Sequence, residues 1–124
     1  MRKILVVDDD QVVRDFVRYV LHQAGYLVQS VPNGDVASKV LEQGLPDLIL
    51  TDMWMPKKAG NQLIEEVRSH YPTIPIIAMS GAATAQPGIY LKMARSLGAD
   101  FTLDKPFSPD DLLRRVELAL YGSV

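Results

Sequence analysis

The sequence predicts an α/β fold: a doubly wound, five-stranded parallel sheet with five covering helices, in one domain spanning residues 1–124. Three observations lead there. Strand-like and helix-like stretches alternate along the whole chain, the pattern of repeated βα units. The strand-like runs are short, apolar and free of polar alternation, as expected of strands covered on both faces. Glycine or proline falls at most junctions, and no internal repeat, linker or low-complexity tract interrupts the alternation.

Ile4-Leu5-Val6-Val7 is the first strand. Val12, Val13, Phe16, Val17, Val20 and Leu21 form the apolar stripe of a first helix, which Gly25 ends. Leu27 to Val31 reads as the second strand and Pro32-Asn33-Gly34 as a turn. Val36, Ala37, Val40 and Leu41 mark the second helix, stopped by Gly44 and Pro46. Leu48 to Thr51 is the third strand, followed by a loop through Pro56 and Gly60. Leu63, Ile64 and Val67 give the third helix, and Ile76 to Met79 the fourth strand. Gly81 to Gly88 is small, polar and broken by Pro87, so it reads as a long loop before a helix from Ile89 to Leu97 that Gly98 closes. Phe101 to Leu103 is the fifth strand. Ser108-Pro109-Asp110-Asp111 opens the last helix with a capping serine, proline at the first helical position and acids in the first turn; Leu112, Leu113, Val116 and Leu120 form its stripe.

Bulk properties narrow the function. A net charge of −2 gives no global positive field that would draw in nucleic acid or an anionic membrane. The absence of cysteine excludes disulfides, thiolate metal sites and a cysteine nucleophile. No apolar run approaches the roughly 18 residues of a membrane-spanning helix. The apolar run after Met1-Arg2-Lys3 is too short for a signal peptide. The expectation is a cytoplasmic protein without direct nucleic-acid or membrane partners.

In open parallel sheets, function gathers at the carboxyl ends of the strands. Here the first strand ends in Asp8-Asp9, the third in Thr51-Asp52, the fourth in Ser80 and the fifth in Asp104-Lys105. Two carboxylates about 4 Å apart repel by about 4 kcal/mol at an effective dielectric near 20, so such a cluster needs a cation or must partly protonate. Oxygen ligands with no nearby histidine or cysteine favour a hard ion, Mg²⁺ first and Mn²⁺ next. A metal, a lysine and a hydroxyl around one aspartate would stabilise charge on a phosphoryl group passing to that aspartate.

With VVDDD near the start, LILTDMWMP around residue 52, IIAMSG around residue 80 and LDKPF around residue 105, the chain resembles the CheY-like receiver domains of response regulators along essentially its whole length. The resemblance implies a flavodoxin-like sheet of order 2-1-3-4-5 and a role in a two-component phosphorelay. Asp52 would accept a phosphoryl group from a sensor histidine kinase or a histidine phosphotransfer protein. Asp9 and Asp52 would bind Mg²⁺ directly, with the backbone carbonyl of Trp54 as a further ligand and Asp8 holding a water of the ion's shell. Ser80 would hydrogen-bond one phosphoryl oxygen and Lys105 would pair with another; the Lys105–Pro106 bond is often cis in the family. The domain would catalyse only its own phosphorylation and dephosphorylation. It would switch binding to a downstream effector or output domain through a surface near the fourth and fifth helices, as a monomer or a phosphorylation-dependent dimer. The sequence ends soon after the last helix, which fits a free-standing receiver or the amino-terminal part of a longer regulator.

Other readings compete at particular residues. Asp8-Asp9-Asp10-Gln11-Val12 also satisfies the Asp-x-Asp-x-Val pattern of haloacid-dehalogenase phosphatases, in which Asp8 would be the nucleophile and Asp10 the acid/base; that pattern leaves Asp52 unexplained. A third reading is a receiver fold kept only for docking, against which Asp9, Asp52, Ser80 and Lys105 all argue. Asp10 precedes a helical stripe and is expected to cap it. Asp104 is expected to face water or balance the lysine. His22 and His70 fit surface positions, Lys57 and Lys58 a solvated loop with a smaller chance of kinase docking, and Met53, Met55, Met79 and Met93 core filler. Trp54 is expected to pack beside the site.

Three features depart from the family pattern. Thr102 stands where many receivers carry an aromatic residue, and strand alternation puts Phe101 on the opposite face with Leu103, which leaves Tyr90 as a candidate substitute. The loop after Ser80 is about three residues longer than in its CheY-like relatives, and Lys58-Ala59-Gly60 replaces the common Met-Asp-Gly. These changes bear on the output mechanism, not on the phosphorylation chemistry.

Overall fold

A computed structural model describes residues 1–53, 60–81 and 87–122, the side chains of 87–91 excepted. Trp54, Met55, Lys57, Lys58, the loop after Gly81 and the Tyr90 side chain therefore lie outside the described residues. The elements run β1 (Lys3–Val7), α1 (Gln11–Gln23), β2 (Leu27–Val31), α2 (Gly34–Gln43), β3 (Leu48–Asp52), α3 (Gly60–His70), β4 (Ile76–Ser80), α4 (Pro87–Leu97), β5 (Phe101–Asp104) and α5 (Pro109–Tyr121). All strand pairs are parallel, in the order β2-β1-β3-β4-β5. The chain starts in the middle of the sheet, winds to the β2 edge, then returns past β1 toward β5. That reversal between β1 and β3 opens a crevice at their carboxyl ends.

Alternation along the buried strands divides the core in two. Leu5, Val7, Ile49, Ile76 and Ala78 pack with Ala37, Leu41, Leu63, Ile64, Val67 and Ala94 of α2, α3 and α4. Ile4, Val6, Leu48, Leu50, Ile77 and Met79 pack with Val17, Val20, Leu21, Leu112 and Val116 of α1 and α5. Each large side chain removed from water in this way contributes roughly 1.5–3 kcal/mol, which is why the central strands have no polar positions before their carboxyl ends. Among the described residues, no helix is long and apolar enough to cross a membrane.

Local rules explain the ends of the helices. Asp10 caps α1, its side chain accepting from the Val12 amide at 2.9 Å. Ser108 and Asp111 form a reciprocal capping box at α5. Two boundaries differ from expectation. Asn33 does not stay in a turn: its side chain accepts from the Val36 amide at 3.0 Å, and α2 starts directly after it. Helix α4 begins at Pro87 and not at Ile89, because proline lacks only an amide that the first helical turn leaves unbonded anyway.

Three apolar assignments need correction. Val12 and Phe16 do not join the buried stripe of α1; Val12 is 76% exposed, and Phe16 turns outward toward Phe107, ring centroids 6.1 Å apart. The stripe is narrower because α1 packs on the sheet through the buried Val17, Val20 and Leu21, with the half-buried Val13 beside them. Met93 is likewise on the outer side of α4, where Ala94 makes the core contact, whereas Met53 and Met79 are buried as expected. Phe101 and Leu103 do share the α1/α5 face, and Thr102 is half-buried with its carbonyl accepting from Arg115 Nε at 3.1 Å.

Candidate functional site

Register sets the site. Val7 pairs with Thr51 and Asp52 with Met79, so Asp8 and Asp52, each one residue further along its strand, arrive at the same rim of the sheet. Ser80 pairs with Asp104, which places Lys105 immediately beyond it; the Lys105 amide donates to the Ser80 carbonyl at 2.8 Å. The Lys105–Pro106 bond is cis.

The structure brings Asp8, Asp9 and Asp52 together, with one carboxylate oxygen from each within 4.8 Å of the others. Asp8 has no solvent exposure and Asp52 very little, whereas Asp9 faces solvent. Asp8 is held through both oxygens: Oδ1 accepts from the Asp10 amide at 2.9 Å, and Oδ2 from Lys105 Nζ at 2.6 Å. The same Nζ lies 3.4 Å from Asp52 Oδ2. Burial by itself would lower the Lys105 pKa, but the hydrogen bond to Asp8 and the charges of Asp52 and Asp8 more than reverse this and raise it above the ordinary lysine value. Lys105 is therefore an ammonium ion at neutral pH. Among the described residues, one ammonium stands against three carboxylates, an arrangement that suits a hard divalent cation, and the all-oxygen donor set points the same way. Ser80 Oγ is buried with no hydrogen-bond partner among the described residues, a polar atom available to a ligand.

Among the remaining sequence-predicted residues, Asp10 points away from the cluster and caps α1, and Asp104 is exposed. His22 and His70 are exposed, as expected. Two residues at the site escaped sequence reasoning. Gly60 opens α3 against the chain that follows Asp52: a Cβ there would sit 2.8 Å from the Met53 Cα and 3.0 Å from the Asp52 carbonyl carbon, so no side chain fits. Arg14 reaches back from α1, its Nη1 donating to the Asp8 carbonyl at 2.6 Å. Its sequence signal is an arginine one turn after the Asp10 cap, because helical side chains lean toward the amino-terminal end.

Two buried acids and a buried hydroxyl, spread over three strand ends and bridged by a lysine from a fourth, match one family along the chain. A model of the response regulator receiver domain covers residues 4–117. The chain belongs to the response-regulator receiver domain family. It is 35% identical over 123 residues to the alkaline phosphatase synthesis transcriptional regulatory protein PhoP of Bacillus subtilis, covering 98% of this chain and 50% of that one. It is 37% identical over 116 residues to a 14.6 kDa protein of Leptolyngbya boryana, covering 92% of this chain and 86% of that one. Among solved structures, the receiver domain of NtrX from Brucella abortus matches with a TM-score of 0.89 and 30% identity, covering 97% of this chain and 99% of that one. The Vibrio cholerae chemotaxis response regulator CheY4 matches with a TM-score of 0.86 and 31% identity over the same shares of the two chains. The receiver spans about half the length of the first curated relatives it matches, which are transcriptional regulators. The family disfavours the phosphatase alternative, and so does the local geometry. Asp10, the acid/base that alternative needs, is committed to capping a helix.

Proposed function

We propose that this receiver, a single domain over residues 1–124, accepts a phosphoryl group on Asp52 from the phosphohistidine of a sensor kinase or phosphotransfer protein, in a Mg²⁺-dependent reaction. The observation that carries this reading is the placement of Lys105 Nζ between Asp8 and Asp52, in a cluster of three carboxylates. Asp9, Asp52 and the Trp54 carbonyl would hold Mg²⁺ directly, and Asp8 would act through a water; the exposed Asp9 and the fully engaged Asp8 support that division. When bound, Mg²⁺ offsets the repulsion among the acids and the charge of the incoming phosphoryl group.

The rest of the chemistry belongs to the chain. An Asp52 carboxylate oxygen attacks phosphorus, the P–O bond forms as the P–N bond breaks, and the imidazole leaves with the bonding pair. The Lys105 ammonium turns from Asp8 and Asp52 toward a phosphoryl oxygen, and the Ser80 hydroxyl, which has no partner among the described residues, donates to another. The same residues would hold the acyl phosphate for its hydrolysis. Phosphorylation would shift a two-state surface near α4 and α5 that an effector, an output domain or a second copy reads. With Thr102 in place of an aromatic residue, that shift would run through another side chain, such as Tyr90.

The test is to incubate the protein with Mg²⁺ and acetyl phosphate or beryllofluoride and map the modified residue. Modification at Asp52, absent in Asp52→Asn and without Mg²⁺, is the expected result. Label on Asp8 would instead indicate the phosphatase chemistry, and no modification or beryllofluoride binding at all would leave an inert docking module.

A further inference from the structure

Resting on that reading, we propose that Arg14 is a positioning residue for the metal site: its guanidinium clamps the Asp8–Asp9 peptide and so holds Asp9 where a divalent cation can use it. Of the three consecutive acids, two are anchored through their own side chains. Asp8 is tied to the Asp10 amide and to Lys105, and Asp10 to the Val12 amide. The exposed Asp9 carboxylate has no hydrogen bond or ion pair among the described residues, so the backbone on either side must set where it points.

That backbone is held twice. The Asp9–Asp10 peptide is fixed by the bond from its amide to Asp8 Oδ1. The Asp8–Asp9 peptide is fixed by Arg14, whose Nη1 donates to the Asp8 carbonyl at 2.6 Å from a half-buried position one turn into α1. A charge-assisted bond of that length restrains the plane of the peptide from which Asp9 begins. Partners one shell out from a metal ligand, though they never touch the ion, govern affinity by fixing where the ligand points.

Position and charge predict opposite signs here. A guanidinium beside the acids would, through its charge alone, repel a divalent cation, and removing it would tighten binding. As a clamp, its removal frees Asp9 and weakens binding. Arg14→Met keeps the apolar stem without the donors, and Arg14→Lys keeps the charge and one donor. Mg²⁺ affinity is read from the fluorescence of Trp54, the sole tryptophan, and by calorimetry. The Asp9 and Asp10 amide resonances of the metal-free protein report the backbone directly.

Arg14→Met should bind Mg²⁺ about tenfold more weakly and shift both amide resonances, and Arg14→Lys should restore most of the affinity. Unchanged or tighter binding by Arg14→Met overturns the clamp. So does an equal loss in the two variants, which would mean that only packing was disturbed. Arg14→Gln, with the same expectations, replaces Arg14→Met if that variant does not fold. Wild-type protein that binds no Mg²⁺ would overturn the metal site itself, whereas wild-type binding with unaltered variants would overturn only the role of Arg14.

Discussion

At the amino-terminal rim of the sheet, each acid in an ion pair meets its own base. Asp47 accepts from the Lys3 amide at 2.8 Å and lies 3.8 Å from Arg2. Asp100 takes the Arg68 guanidinium at 2.5 Å and the Ile76 amide at 2.8 Å, while Arg68 also donates to the carbonyls of Ile74 and Gly98. At the carboxyl rim, Asp8 and Asp52 both pair with the Lys105 ammonium, Asp9 stands beside them with no ion pair among the described residues, and Ser80 Oγ bonds to nothing among the described residues. Matched charges at the first rim tie α3 to the start of β4 and β5 and hold the fold. The excess of carboxylates over cationic groups among the described residues of the second rim is a repulsion that a bound cation would offset.

Removing a charged group that lacks a partner among the described residues of the second rim should therefore act in the opposite direction to removing a paired one at the first. The largest effect is expected from Arg68→Ala, which takes the guanidinium from Asp100 and from the carbonyls of Pro72, Ile74 and Gly98; hydrogen bonds of this charged kind contribute about 1.5–3 kcal/mol each. Urea unfolding should show a loss of about 3 kcal/mol, with Mg²⁺ affinity unchanged; an altered affinity would mean that the two rims are coupled. Gly60→Ala forces a methyl group against the Asp52 backbone and should cost about 1–3 kcal/mol by overpacking. Unlike Arg68→Ala, it should also slow Asp52 phosphorylation by acetyl phosphate, and a variant with normal rates would show that the close approach is packing alone.

Asp9→Asn should reverse the sign. With one like charge gone, the metal-free domain should gain about 1 kcal/mol in urea unfolding, by relief of repulsion, while losing Mg²⁺ binding. A less stable Asp9→Asn would contradict the view that the rim is electrostatically strained. The smallest effect is a pH dependence. Because the folded state raises the Lys105 pKa, the stabilisation by its ion pairs is fully present below the ordinary lysine value near 10.5 and is lost as pH rises through the raised value. Unfolding midpoints measured across that alkaline range should fall more steeply for wild type than for Lys105→Met.

Helices, strands and the acids that end them were legible because they depend on neighbours in sequence. The run Ile4 to Val7, the Asp10 cap and the Ser108-Pro109 start each follow from periodicity or backbone hydrogen bonding within one turn. The burial errors came where a partner far along the chain decides. Phe16 and Met93 are apolar at plausible helical positions, yet each helix touches the sheet along a narrow line that excludes them. Asn33 looked like a turn residue because a turn and a helix cap use the same side-chain bond.

Four quoted motifs placed Asp8, Asp9, Asp52, Ser80 and Lys105 at strand ends, and parallel strands with βα connections oblige those ends to lie on one side of the sheet. How the charges divide among them was beyond sequence. Lys105 lies 97 residues from Asp8, and its choice of that partner at 2.6 Å over Asp52 at 3.4 Å depends on how β5 and the loop after it sit against β1 and β3. Gly60 and Arg14 belong to the same class: a glycine and an arginine one turn past a cap are visible in the sequence, but what each one meets is not. Composition and spacing fix which groups reach the rim, because they act through local geometry. Packing fixes which groups pair there, because a hydrogen bond or ion pair depends on distances that only the assembled sheet sets.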